Sequence, residues 1–233
     1  MSIKKENNLL NNNVIYDLTK FTHLDYPNHL SCIVWFSGCN MKCDYCYNKD
    51  IVFSKKGAYS YSDVLSFLKT RVNLLDSVVL SGGEATSHDL IEFCQKIKEM
   101  GFLIKLDTNG TNYGAVKRLI ELNLLDFVAL DYKAPKEKFS KITYSNKYNE
   151  FSNTLDMLIQ SDIEYEVRTT IHNDLLNEDD INTIIKDILQ RGYNKKYYLQ
   201  KFLSTENNIG NIKDPVNSFD KSLLSNDIET IWR

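Results

Sequence analysis

No apolar run in this sequence approaches the ~18 residues that a membrane-spanning helix needs. Stretches such as Ile33–Phe36 and Val78–Leu80 have the length of a strand. Charge of one sign is scarce as well, since 28 Lys and Arg against 31 Asp and Glu leave a net charge of −3. That balance provides no electrostatic footprint for nucleic acid or for an anionic membrane. The first residues, Met1 to Asn13, are polar and rich in Asn, without the apolar centre of a secretion signal. A flexible polar tail over residues 1–13 and a cytoplasmic location are the expectation. Repeats of fixed period, low-complexity linkers and breaks in composition are also missing, so residues 14–233 read as one domain. A chain of 233 residues is long enough to bury roughly 70% of its unfolded surface.

Cysteine is sparse and odd in number, five in all. A secreted disulfide scaffold would spread an even number over a shorter chain. Three of the five, Cys39, Cys43 and Cys46, fall within eight residues, while Cys32 and Cys94 stand apart. Clustered thiols in a reducing compartment point to metal. The count also leaves no thiols for a second four-cysteine cluster.

What is present is an alternation of strand and helix signals. After a short first strand at Val14–Asp17 come apolar, β-branched or aromatic segments at Cys32–Ser37, Ser77–Ser81, Leu103–Thr108, Phe127–Tyr132, Tyr165–Ile171 and Tyr197–Phe202. Between them lie helical stripes. Val64, Leu68, Val72 and Leu75 form one, with Ser62 as the expected N-cap. Leu90, Phe93, Cys94, Ile97 and Met100 form another, ended by Gly101. Leu119 with Ile120, then Phe151, Leu155, Leu158 and Ile159, then Ile181, Ile184, Ile185 and Ile188 supply the rest. Six β/α units predict an α/β fold with a parallel sheet and outer helices. Six are fewer than the eight of a closed barrel, which leaves an open doubly wound sheet or a partial (β/α)6 TIM-type barrel; the partial barrel is the reading adopted. In either case the chemistry belongs at the carboxyl ends of the strands.

The residues there fit that rule. The second strand runs into Gly38-Cys39-Asn40-Met41-Lys42-Cys43-Asp44-Tyr45-Cys46, a C-x3-C-x2-C spacing in one loop. Zinc sites usually close a tetrahedron with two separated ligand pairs, and no second pair exists here. A [4Fe–4S] cube normally takes four thiolates, so three leave one iron open. The next strand ends in Ser81-Gly82-Gly83-Glu84. There the glycines allow close backbone approach, and the carboxylate can accept from an ammonium group. Asp107 and Asp131 end the two strands after that. As unpaired carboxylates in one mouth they would repel and need compensation, or else they cap the following helices. Arg168 on the next strand is placed either to bind a carboxylate or to face solvent. Gln200 ends the last predicted strand.

C-x3-C-x2-C with an aromatic residue, Tyr45, before the last Cys resembles the signature of the radical S-adenosylmethionine superfamily. Gly82-Gly83-Glu84 resembles its methionine-amine motif, with Ala85 in place of the usual Pro. Leu24-Asp25-Tyr26-Pro27, Leu106-Asp107-Thr108-Asn109-Gly110 and Asp131-Tyr132-Lys133-Ala134-Pro135 are similar to motifs of the glycyl-radical-enzyme activases. Among these the likeness is greatest to the activating proteins of anaerobic ribonucleoside-triphosphate reductase. The resemblance implies one [4Fe–4S] cluster on Cys39, Cys43 and Cys46 and reductive cleavage of S-adenosylmethionine to a 5′-deoxyadenosyl radical. It also implies a glycyl radical enzyme as protein substrate and flavodoxin or ferredoxin as electron donor. The implied cofactor contacts are Tyr45, Gly82, Gly83, Glu84, Asp107, Asn109, Asp131, Lys133, Arg168 and Gln200. A monovalent cation is implied on Asp107, Thr108, Asp131 and the carbonyl of Ala129. Departures lie at Tyr47, where many activases have His, and at Asn28, where Gly is usual; both bear on the partner rather than the cluster. The alternatives are a radical enzyme acting on a small molecule, as carboxydeazaguanine synthase does, and a non-enzymatic electron-transfer module.

Overall fold

The computed structural model describes residues 10–233. Eight strands follow in chain order: β1 (Ile15–Thr22), β2 (Ser31–Phe36), β3 (Ser77–Gly82), β4 (Leu103–Thr108), β5 (Phe127–Asp131), β6 (Glu164–Ile171), β7 (Tyr197–Lys201) and β8 (Thr230–Trp232). The helices among the described residues are α1 (Lys49–Phe53), α2 (Tyr61–Lys69), α3 (Ile91–Glu99), α4 (Tyr113–Glu121), α5 (Lys136–Thr143), α6 (Tyr148–Gln160) and α7 (Glu178–Gln190). The strands form one sheet in sequence order, with β1 and β8 as its edges, so it does not close. β1 pairs antiparallel with β2, whereas β2–β3, β3–β4, β6–β7 and β7–β8 are parallel. The six expected parallel strands are β2 to β7, and the open α/β sheet with intervening helices is the architecture found.

The chain forms two compact units. The first holds residues up to Asn40, Asp50–Thr108 and Gly114–Val128. One sheet face here carries Cys32, Val34, Phe36, Val78, Leu80, Ile104 and Leu106, all fully buried. Phe36 meets Tyr61 of α2 and Phe93 of α3 with ring centroids 6.2 and 6.4 Å apart. The other face is also covered, because Tyr26, Ile33 and Val79 form a buried cluster joined by Trp35, Leu103 and Phe127. Burial of both faces is why Cys32–Phe36 of β2 and Val78–Leu80 of β3 read as unbroken apolar runs. The second unit holds Met41–Lys49, Asn109–Tyr113 and Ala129–Arg233. Its core contains Val167, Tyr197 and Leu199 from the strands with Phe151, Leu155, Leu158, Ile181, Ile184 and Ile188 from α6 and α7.

Four local expectations need correction. The N-cap of α2 is Ser60, not Ser62. Ser60 Oγ accepts from Asp63 N at 3.2 Å, and Asp63 Oδ2 accepts from Ser60 N at 2.8 Å, a reciprocal capping box. That helix stops at Lys69, so Val72 lies past it, 40% exposed. β1 is a full eight-residue edge strand, and β8 and α5 carry too few periodic apolar positions to be read beforehand. Residues 1–9 of the expected tail lie outside the described residues, while Leu10 and Asn13 carbonyls accept from Ser62 N and Gly57 N. Among the described residues no helix is long and apolar enough to cross a membrane.

Candidate cofactor site

In the first unit β2 leads to Cys39 through Ser37 and Gly38. Ser37 donates to the Val14 carbonyl from both N and Oγ at 2.9 Å, and His88 Nε2 donates to the Ser37 carbonyl at 2.8 Å. Gly38 turns the chain at φ +77°. The end of β3 is stitched to this turn: Gly83 N donates to Phe36 O and Glu84 N to Gly38 O, each at 2.9 Å. A Cβ on Gly82, whose φ is +108°, would lie 2.3 Å from Phe36 N, and one on Gly83 would lie 1.9 Å from Gly38 O. Both glycines are thus required by the neighbouring backbone that carries Cys39, before any ligand is considered.

Glu84 follows at 2% exposure. Its Oε1 accepts from Thr86 N at 3.2 Å, Thr86 Oγ1 at 2.6 Å and Thr108 Oγ1 at 2.8 Å. A carboxylate is tolerated at such depth because charge-assisted hydrogen bonds hold it. Thr108, expected at a cation, therefore orients Glu84. Asp107 Oδ2 accepts from Ser81 Oγ at 3.1 Å, and its Oδ1 pairs with Lys105 Nζ at 2.5 Å. Lys105 is 1% exposed.

In the second unit the loop 41–49 is held along its backbone. Lys42 N donates to Thr143 O and Asp44 N to Ile142 O, at 2.9 and 3.2 Å, tying it to the end of α5. Ile209 N donates to Cys46 O at 3.0 Å and Gly210 N to Asp44 O at 2.9 Å. A Cβ on Gly210 would fall 2.7 Å from Asp44 Cβ. Asn208, 1% exposed, folds this second segment by donating to Thr205 O and Ile212 O while accepting from Ile212 N. Cys43 is buried and Cys46 half-buried, as is Cys39 in the first unit, and all five cysteines of the chain are thiols rather than disulfides. Among the described residues no three His, Cys, Asp or Glu side chains are drawn together as a metal-binding group. The assignment of the thiols to a cluster thus rests on their spacing.

Tyr45 is 5% exposed, and its Oη is buried with no hydrogen-bond partner among the described residues. Burial pushes its phenol well above the ordinary value, against the pull of Lys133. It remains a neutral donor of the kind a bound polar ligand would satisfy. Lys133 Nζ stands 6.0 Å over the Tyr45 ring and donates to Asp131 Oδ2 at 2.9 Å. Arg168 Nε donates to Asp131 Oδ1 at 2.5 Å. Burial opposes ionisation of Asp131, but Arg168 and then Lys133 outweigh it and hold the carboxyl well below the usual range.

The two carboxylates expected to be unpaired are therefore both ion-paired within the chain, and neither caps a helix through the contacts described. Arg168 spends its Nε on Asp131, so it neither faces bulk solvent nor offers that group to a cofactor. Asn109 is 4% exposed, and its Oδ1 accepts from Thr111 N and Oγ1 at 3.0 and 2.7 Å, closing a turn. Ala129 is fully buried, and Gln200 on β7 pairs in register with Thr170 on β6. Sequence reasoning missed Lys105, Thr86 and the segment 205–212. For Lys105 a signal existed, because a Lys two residues before Asp107 on a strand shares its face. For the other two none did.

Comparison with known proteins bears on this arrangement. A family model described as the radical SAM superfamily matches residues 33–188, more than half of the chain. A Methanocaldococcus jannaschii protein named for glycyl-radical enzyme activation is 29% identical over 182 residues, 75% of each chain. The pyruvate formate-lyase-activating enzyme of Clostridium pasteurianum is 29% identical over 126 residues, 51% of this chain and 52% of that one. Among solved structures, Streptococcus suis SuiB bound to S-adenosylmethionine shares the fold with a TM-score of 0.67 at 11% identity. That match covers 86% of this chain and 49% of that one, so the chain spans about half the length of this solved relative.

Proposed function

We propose that this chain, which belongs to the radical SAM superfamily, makes a glycyl radical on a partner enzyme, with anaerobic ribonucleoside-triphosphate reductase as the partner. The chain is an enzyme, and membership in that superfamily implies a [4Fe–4S] cluster and S-adenosylmethionine. When bound, these supply a reductive carbon–sulfur cleavage that yields methionine and a 5′-deoxyadenosyl radical. The residues named above fit such a group in chemistry. Cys39, Cys43 and Cys46 would hold the cluster through three thiolates, one fewer than its four irons. Glu84, fixed by Thr86 and Thr108, would accept from the ammonium of the methionine moiety. Tyr45 retains a proton to donate, while Lys133, held by Asp131, keeps its positive charge at the site. Gly82 and Gly83 hold the Cys39 turn and the Glu84 turn to one another through backbone contacts. Flavodoxin or ferredoxin is the electron donor in this reading, and residues 14–233 act as one catalytic domain.

The observation that supports the partner class is likeness over three quarters of the chain to a protein named for glycyl-radical activation. The test mixes reconstituted protein, reductant and S-adenosylmethionine with candidate anaerobic reductases. A glycyl radical doublet by EPR is expected with one of them. Active cleavage with no glycyl radical on any candidate would instead assign a small-molecule substrate. A finer expectation concerns Thr108. Thr108→Val keeps the shape but removes the hydrogen bond from Thr108 Oγ1 to Glu84 Oε1. The Kd for S-adenosylmethionine, measured by equilibrium dialysis under anaerobic conditions, should rise about 5-fold. An unchanged Kd would remove Glu84 from the cofactor contacts or Thr108 from its support.

A further inference from the structure

The charge that neutralises Asp107 is built into the chain. Lys105 precedes Asp107 by two residues on β4, so strand alternation turns both side chains to one face. Its register partner is Val79, a member of the buried cluster that Leu103 and Phe127 join, and its Nζ stands 6.0 Å over the Phe127 ring. At 1% exposure the ammonium has little access to water, and Asp107 Oδ1 at 2.5 Å is its ion-pair partner. Each member of such a pair is the condition for the other's charge, because an uncompensated buried ion is strongly disfavoured. Asp107 Oδ2 is already engaged by Ser81, and Thr108 Oγ1 is directed at Glu84. In the second unit Asp131 carries two positive partners, Lys133 and Arg168, so the group of three is net positive. A metal ion added at either carboxylate would meet a fixed positive charge at contact distance in a medium that screens poorly.

We propose that the ammonium of Lys105 takes the place of a monovalent cation beside Asp107, making Lys105 a positioning residue and the enzyme indifferent to K+ and Na+. The proposal that Asp107 serves the cofactor pocket rests on the function argued above; the charge substitution itself does not. The test compares K+, Na+ and N-methylglucamine at equal ionic strength. Two quantities are read: the Tm of the cluster-free protein, and 5′-deoxyadenosine release by the reconstituted enzyme. For the natural sequence Tm should move by less than about 1 °C and the rate by less than about twofold. Lys105→Met should acquire a cation requirement. Its rate should fall about tenfold in N-methylglucamine and recover in K+, with a Tm gain of about 3 °C or more on adding K+. Lys105→Arg keeps the charge and should remain indifferent. A natural enzyme that responds severalfold to K+ over N-methylglucamine overturns the proposal, as does a folded Lys105→Met variant that stays indifferent. Should that variant not fold, the series on the natural sequence decides alone. If no ion supports cleavage, the proposed function fails while the Tm series still decides the role of Lys105.

Discussion

Cys39→Ala, Cys43→Ala and Cys46→Ala should each abolish cluster assembly and reduce 5′-deoxyadenosine formation to background, a loss of roughly a thousandfold or more. The expectation follows from ligand count. Three thiolates are the fewest that hold a cubane while leaving one iron open, so removing any one leaves too few. The two remaining cysteines cannot substitute. Burial pushes the thiols of Cys32 and Cys94 up to about 12, whereas a thiol must lose its proton to ligate iron. Both are fully buried against apolar neighbours in the first unit. Cys32→Ala and Cys94→Ala should therefore cost about 1–2 kcal/mol of stability through lost packing and leave iron content unchanged. Iron per protein, visible absorbance and product chromatography on the five variants separate the two groups. A triad variant that still cleaves S-adenosylmethionine would sink the assignment, and so would loss of iron from Cys32→Ala or Cys94→Ala in a folded protein.

Gly83→Ala should be nearly as damaging, for a reason that has nothing to do with ligand chemistry. The added methyl would sit 1.9 Å from Gly38 O and 2.6 Å from its carbonyl carbon. Those atoms are backbone, so no rotamer change relieves the clash. The strands must separate there, which breaks the Gly83 N to Phe36 O and Glu84 N to Gly38 O bonds. Overpacking and two lost hydrogen bonds together cost about 2–5 kcal/mol, a Tm loss of about 10 °C in a chain of this size. The same displacement moves Cys39 on one side and Glu84 on the other, so iron retention and cofactor binding should fall together. Gly114→Ala is the matched control. Nothing lies within 4 Å of a Cβ at that position in α4, and Ala there should be neutral or stabilising by up to about 1 kcal/mol. Equal behaviour of the two alanine variants in calorimetry would show that the β2 and β3 turns are not in contact as described.

Much of this was legible beforehand because it depends on local pattern. The runs Cys32–Ser37, Ser77–Ser81 and Leu103–Thr108 are short, apolar and followed by polar residues, and all three are strands of the sheet. The stripe Ile181, Ile184, Ile185 and Ile188 repeats at helical spacing, and α7 buries all four. Where the structure departs from the sequence pattern, a competing local interaction decides. Ser60 rather than Ser62 caps α2 because Asp63 stands three residues after Ser60 and can complete a reciprocal pair. α5 is hard to recognise from sequence because only Phe139 and Ile142 mark its apolar side among charged neighbours.

The sequence by itself determined the three clustered thiols, the Gly-Gly-Glu turn and the order in which strands present them, since spacing along a chain survives any fold. Tertiary structure decided the long-range partners: Arg168 for Asp131 and Thr108 for Glu84. Lys105 and Lys133 lie two residues from Asp107 and Asp131 along the chain, but Arg168 reaches Asp131 only because the fold brings together residues 37 positions apart. Gly83 leaves room for a ligand by its residue type alone, yet the atom a Cβ there would meet is Gly38 O, 45 residues away in the chain. Electrostatics and steric exclusion act through space at a few ångströms, and a linear pattern records neither until β2, β3 and β4 lie side by side.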